Sequence, residues 1–261
     1  MSGSPRHQSV AKGDRRRVQT RMAHFVLVHG SWHGGWCWDS VAMLLRGAGH
    51  RVDAPDLAGL GADRTSLADI TLATWRDQIA ALVDAAREPV VLVGHSRGGI
   101  VISEVAEARP DKIARLVYLA AFLLGDGESV SRTMRADGTS LILPNLIVFE
   151  DGISSIVRSE ALAETFYGDC KPEEVAHAKA LLRPEPVLPN RTPLQLSAGR
   201  SGRVKRAYIA TAADRAVPPA LQRKMYAALP CDKLITMDTA HSPFLSAPAS
   251  LALHLAMLAG G

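Results

Sequence analysis

The stretch Pro89-Val90-Val91-Leu92-Val93-Gly94-His95-Ser96-Arg97-Gly98-Gly99 constrains this chain more than any other. Its five leading residues read as a strand buried on both faces. They run into Gly-x-Ser-x-Gly, and a helical segment from Gly98 to Ala108 follows at once. A serine at such a corner sits in a tight, strained turn with its hydroxyl pushed outward. Gly94 and Gly98 let neighbouring backbone pass close by, and the helix N-terminus behind the serine favours negative charge on a bound oxygen. Strand, turn and helix in that order predict a nucleophile elbow around Ser96. The bland alternative is an ordinary turn in which Ser96 caps the helix.

The flanking chain supplies the rest of an α/β pattern. Strands are predicted at His24–His29, His50–Ala54, Ile113–Phe122, Arg206–Ala212 and Lys233–Asp238. Helices are predicted at Ser40–Arg46 with Asp39 as its cap, from Thr71 or Thr74 to Ala86, at Pro219–Leu229 and at Pro248–Ala259. Alternating strands and helices imply a mostly parallel sheet of about six strands with helices on both faces. The alternation stops between residues 123 and 202, where loop signals, short helical pieces and four prolines crowd together. That segment reads as an inserted, mainly helical cap, with 22–122 and 203–261 forming the core.

At 261 residues and 47% hydrophobic content, the chain is long enough for one substantial core. No apolar run reaches the ~18 residues of a membrane span. Cys37, Cys170 and Cys231 are an odd, sparse set that suggests a reducing, cytoplasmic setting without a disulfide framework. No CxxC or Cys/His cluster has metal spacing, so no structural zinc is implied. The net charge of +4 is unevenly placed: residues 1–21 hold six Arg and Lys against Asp14, a net of +5, which leaves −1 for the remainder. The remainder is therefore near neutral and the basic character sits in the first 21 residues, a stretch that could bind nucleic acid or act as an address. The basic stretch reads as a disordered leader ahead of Met22, and it lacks the apolar region of a secretory signal. Monomer and homodimer are both compatible with the sequence.

A serine hydroxyl needs a base to take its proton, and the base needs an acid to hold its tautomer. In a fold of this kind the order along the chain is serine, acid, histidine, each in a loop at the carboxyl end of a strand. Asp214 follows Ala207–Thr211, and His241 follows Leu234–Met237, so both meet the rule. His29, His33 and His95 stand in the wrong order for the base. Asp56 is an alternative acid, and Asp238 falls within its strand. An oxyanion would take the backbone N–H of Arg97 and, from the loop after the first strand, that of Ser31. In that loop Trp32 and His33 border the pocket, whereas Trp36 and Trp38 serve packing. The Arg97 side chain either meets a substrate carboxylate or lies solvated at the surface. Leu141, Ile142, Leu143, Leu146, Ile147 and Phe149 point to an apolar acyl or aromatic group, or form the cap's own core.

Phe25–Gly30, His33-Gly34-Gly35-Trp36, Val93–Gly99 and Leu119–Phe122 together resemble the α/β-hydrolase fold. More narrowly, they resemble its branch of plant methylesterases, salicylate-binding esterases and hydroxynitrile lyases, with their bacterial esterase relatives. The resemblance runs from about Met22 to the C-terminus and implies the triad Ser96, Asp214 and His241, with oxyanion donors at Ser31 and Arg97. It implies a small-molecule ester as substrate, no cofactor, and neither nucleic acid nor membrane as partner. The lyase members carry a threonine and a lysine where this chain has Gly30 and Ser242, which favours hydrolysis over cyanohydrin cleavage. Arg97 also departs from the leucine or methionine usual after the nucleophile. A receptor built on the hydrolase pocket is a rival reading; a nucleotide-binding oxidoreductase is another, weakened by the lack of GxGxxG spacing.

Overall fold

The computed structural model describes residues 22–260; the leader expected before Met22 lies outside the described residues. Six strands form one parallel sheet: β1 (His24–Val28), β2 (Arg51–Asp53), β3 (Val90–His95), β4 (Ile113–Leu119), β8 (Arg206–Thr211) and β9 (Lys233–Met237). Their spatial order is β2-β1-β3-β4-β8-β9, so the elbow strand β3 lies near the middle. Register pairs Val28 with Gly94, His95 with Leu119, and Leu119 with Ile209. The carboxyl ends of these neighbours thus meet along one edge.

Side-chain alternation along the strands divides the core into two layers. Phe25, Leu27, Val91 and Val93 pack with α1 (Asp39–Gly47) and α10 (Pro248–Ala259). Val26, Val28 and Leu92 face α2 (Leu72–Ala85), α3 (Gly98–Ala108) and α9 (Pro219–Ala228). All seven of these strand residues are at most 3% exposed, and full burial of one such side chain stabilises by about 1.5–3 kcal/mol. Thr71 caps α2 by accepting from the Thr74 N–H, with a reciprocal bond from the Thr71 N–H to Thr74 Oγ1. Asp39 does not cap α1 but is its first residue, because the short 3₁₀ turn at Gly35–Trp38 runs straight into the helix.

Between β4 and β8 the segment 123–202 is mainly helical, with short strands that the sequence reading did not place. It holds the helices α4 (Val130–Asp137), α5 (Ile142–Asn145), α6 (Leu162–Phe166), α7 (Pro172–Leu181) and α8 (Leu188–Arg191). It also holds a small antiparallel sheet of β5 (Leu146–Val148), β6 (Ser154–Val157) and β7 (Glu185–Pro186). These strands are short and one contains proline, so no alternating run announces them. The sheet's function is local: β7 delivers Glu185 into the interior, where it is fully buried.

Candidate active site

Ser96 occupies the corner between β3 and α3 with φ of 53°, the left-handed region that a serine enters only under constraint. Three hydrogen bonds impose it: Ser96 N–H donates to Leu119 O at 3.1 Å, and Ser96 O accepts from Gly99 N at 3.1 Å and Phe122 N at 3.0 Å. The flanking glycines are sterically required. A Cβ at Gly94 would stand 2.7 Å from Gly98 O, and one at Gly98 would stand 2.8 Å from Val28 O.

Asp214 and His241 meet beyond the ends of β8 and β9. His241 Nδ1–H donates to Asp214 Oδ2 at 2.7 Å, and both side chains are almost wholly buried. Asp214 is held by more than the histidine. Its Oδ1 accepts from the N–H groups of Ala216 and Val217 at 2.8 Å each, while Oδ2 accepts from Thr211 Oγ1 at 2.9 Å and Gln222 Nε2 at 3.2 Å. Such a carboxylate has its orientation fixed before any chemistry begins. Around the His241 ring pack His95, at 4.5 Å between centroids, and Phe166 of α6, at 5.7 Å. His95 donates from Nε2 to the His241 carbonyl at 2.9 Å, and burial holds its pKa well below the ordinary value. It supports the histidine next to it and stays neutral.

The loop after β1 is fixed by a second network. Gly30 O accepts from His29 Nδ1 at 2.9 Å and from Arg97 Nη2 at 3.0 Å. In a planar trans peptide the N–H points opposite to the C=O, so these donors orient the Ser31 N–H away from themselves. Neither that N–H nor the Arg97 N–H has a hydrogen-bond partner among the described residues. His29 Nε2 accepts from Leu57 N–H, which leaves one tautomer, and burial holds its pKa at about 3.

The structure corrects the expectation for the Arg97 side chain, which is neither solvated nor directed at a substrate. It is fully buried, with its guanidinium carbon 4.0 Å from the centre of the Trp75 ring and its Nε 3.5 Å from Glu185 Oε2. Burial pushes the Glu185 carboxyl up, and the adjacent guanidinium pulls it back. Glu185 also accepts from Asn190 Nδ2 at 2.8 Å, from the Ser31 hydroxyl, and from Trp32 N–H at 3.4 Å. One buried ion pair therefore joins the residue after Ser96, the loop after β1 and the inserted strand β7.

A cavity of about 120 Å3 opens on Ser96, Ser31 and Trp32 and is walled by Phe122, Met134 and Ile142. Trp32 lines this cavity. His33 does not: its Nδ1–H donates to Ser31 O at 2.7 Å, its Nε2 accepts from Tyr167 Oη at 2.8 Å, and burial holds its pKa at about 4. The loop turns at Trp32, which has φ of 61°, and that turn sends His33 behind the loop. Asp56 is also no partner for the histidine, since its carboxylate binds the N–H groups of Gly35 and Ala62. Asp238 lies one residue past β9 and is exposed. Trp38 is buried as packing, and Trp36 stacks on His33. Of the apolar insert residues, Ile142, Leu143 and Leu146 reach the cavity, whereas Ile147 and Phe149 are exposed. A larger groove of about 780 Å3 along α6 and α7 does not reach Ser96.

Sequence reasoning missed Glu185, Gln222 and the roles of His29 and Thr211. Thr211 and Gln222 had a readable signal, a polar side chain at each strand or helix position facing Asp214; Glu185 had none. Among the described residues no group of three or more His, Cys, Asp or Glu is placed to hold a metal ion, and no helix is long and apolar enough to cross a membrane.

Comparison with known proteins agrees with this architecture. The model of the alpha/beta hydrolase family matches residues 25–252. Methyl jasmonate esterase 1 of Vitis vinifera is 32% identical over 255 residues, covering 91% of this chain and 97% of its own. Salicylic acid-binding protein 2 of Nicotiana tabacum is 34% identical over 214 residues, covering 77% and 82%. The crystal structure of a pyrethroid hydrolase from Sphingobium faniae superposes with a TM-score of 0.83 at 31% identity, covering 92% and 98%. Relatives bearing methylesterase and pyrethroid hydrolase names are carboxylesterase-type hydrolases. The chain belongs to the alpha/beta hydrolase family.

Proposed function

We infer that the chain is a serine-dependent carboxylic ester hydrolase, with Ser96 as nucleophile, His241 as base and Asp214 as the acid that orients it. The observation that carries the reading is the buried 2.7 Å bond from His241 Nδ1 to a carboxylate fixed by two backbone N–H groups. That bond keeps the proton on Nδ1 and leaves Nε2 as the atom free to accept one. His241 takes the Ser96 proton as Oγ attacks the ester carbonyl. The tetrahedral oxygen receives the N–H groups of Ser31 and Arg97. The protonated His241 gives its proton to the leaving alkoxide. Water, deprotonated by the same base, then releases the acid and restores Ser96. Residues 123–202 serve in this reading as the cap that shapes the acyl or alcohol pocket.

Lyase chemistry with a threonine at position 30 fits less well. A Cβ at Gly30 would stand 2.9 Å from both Ser96 Cβ and His95 Nδ1, so a β-branched residue there demands a shift of the elbow itself. The test is hydrolysis of p-nitrophenyl esters from acetate to octanoate by the native protein and by Ser96→Ala. Activity that collapses in the variant supports the reading, and chain-length preference sizes the pocket. Equal inertness of both proteins across the series overturns it.

A further inference from the structure

The cavity at Ser96 has an asymmetric lining. Its inner wall is apolar, but Arg135 and Arg191 both border it, with Asn190 and Ser131 beside them and no Asp or Glu. Arg135 lies in the last turn of α4 and Arg191 ends α8, and the two helices pack together. Both arginines are exposed, and neither forms a hydrogen bond or ion pair with another described residue. Three other arginines around the site are committed. Arg97 pairs with Glu185, Arg183 donates to Gly61 O and Asp63 O, and Arg215 pairs with Glu164.

Two arginines lining one cavity, with no carboxylate in the same lining, make it electropositive. The favourable contact of a cation with a helix C-terminus accounts for Arg135, but α8 has only four residues and does not account for Arg191 in the same way. Guanidinium also matches the planar carboxylate, which it binds through two parallel N–H donors. The cavity is small, about 120 Å3, and Ser96 and the two arginines all line it. An anion bound by these arginines is therefore separated from the reacting carbonyl by a short aliphatic span.

We propose that the ester taken at this site carries a carboxylate about four to six atoms from the scissile carbonyl, bound by Arg135 and Arg191. The substrate class is thus a monoester of a short dicarboxylic acid, or the ester of a short hydroxy acid. The proposal rests on the esterase reading above and adds the charge of the substrate to it.

The experiment compares matched anionic and neutral esters. For the acyl side these are mono-p-nitrophenyl glutarate against p-nitrophenyl pentanoate; for the alcohol side, 4-acetoxybutanoate against pentyl acetate, followed by pH-stat. Because both contacts are exposed, each is worth a few-fold, and a preference of about tenfold in kcat/KM for the anionic member of at least one pair is expected at low salt. The preference is expected to lie in KM, to shrink at 0.5 M salt, and to fall to about unity in Arg135→Gln/Arg191→Gln. Binding is followed separately with glutarate, which is expected to raise the Tm of the native protein and not of the double variant. Hydrolysis of both members at equal kcat/KM, with no Tm shift from glutarate, overturns the anionic inference and leaves the esterase reading standing. Failure to hydrolyse any ester, with a glutarate shift abolished by the double variant, removes the esterase reading and keeps the anion site.

Discussion

The Arg97–Glu185 pair makes a quantitative prediction, because both side chains are fully buried and each holds part of the loop after β1. In Glu185→Leu the guanidinium keeps its bond to Gly30 O and the Trp75 face, but loses the carboxylate 3.5 Å from Nε, and neither Nε nor Nη1 has a hydrogen-bond partner to compensate. Removing one member of a buried pair leaves an uncompensated charge and costs about 3–5 kcal/mol. Arg97→Leu alone strands the Glu185 carboxylate, which can take up a proton and so loses less. Replacing both by leucine removes both desolvation penalties at once, and a change of about zero, or a gain of ~1–4 kcal/mol, is expected. The two single losses therefore do not add, and the coupling energy from the double-mutant cycle is at least about 2 kcal/mol. Urea unfolding of the four proteins, at one pH and with equal m-values, measures it.

The same double variant separates stability from catalysis. It is expected to be as stable as the native protein, yet Gly30 O has lost one of its two donors, so the Ser31 N–H is held less firmly. Loss of one oxyanion donor costs about 3 kcal/mol, and partial misplacement here should lower kcat by about 10- to 100-fold with KM changed far less. A double variant that is stable and retains native kcat would refute the claim that the guanidinium orients that peptide. Additive losses in the cycle would refute the ion pair itself.

Three further outcomes follow from the site. Asp214→Asn keeps the bonds to Ala216 and Val217 but no longer holds the proton on His241 Nδ1, so kcat should fall by about 10³- to 10⁴-fold with far-UV dichroism unchanged. Gly30→Thr should lose at least about tenfold in ester kcat/KM, since its Cβ meets Ser96 Cβ; native activity in that variant would remove the steric argument against lyase chemistry. His33 and His29 titrate in the folded protein at about 4 and about 3, below their ordinary 6.5. Their neutral forms therefore contribute stability that is present above pH 6.5 and lost as the pH falls through about 4 and then 3. The urea midpoint should decline across that window, and less steeply in His33→Gln; a flat native profile between pH 6.5 and 4 would contradict it.

The parts of this site that were legible in the sequence are those set by local backbone rules. An elbow needs a strand, glycines two residues either side of the serine, and a helix, all within one short stretch, and Gly94 to Ala108 states each requirement in order. Asp214 and His241 were legible because chain order and strand ends restrict where partners can stand. What stayed hidden depends on contacts made far along the chain. Arg97 reads as a surface or substrate-facing charge until Glu185 is seen beside it, and Glu185 arrives on a two-residue strand with no pattern of its own. His33 reads as a pocket residue until the positive φ at Trp32 turns the loop and Tyr167 of the insert donates its hydroxyl hydrogen to the ring. In each case the insert decides the outcome. Its β7 neutralises an arginine that the core alone would leave buried and unpaired, and its α6 places Phe166 on His241. The segment least readable from the sequence thus completes the interior of the site, and core and insert are not separable modules here: a chain lacking 123–202 would carry the elbow, Asp214 and His241, with a buried cation beside Ser96 and nothing to balance it.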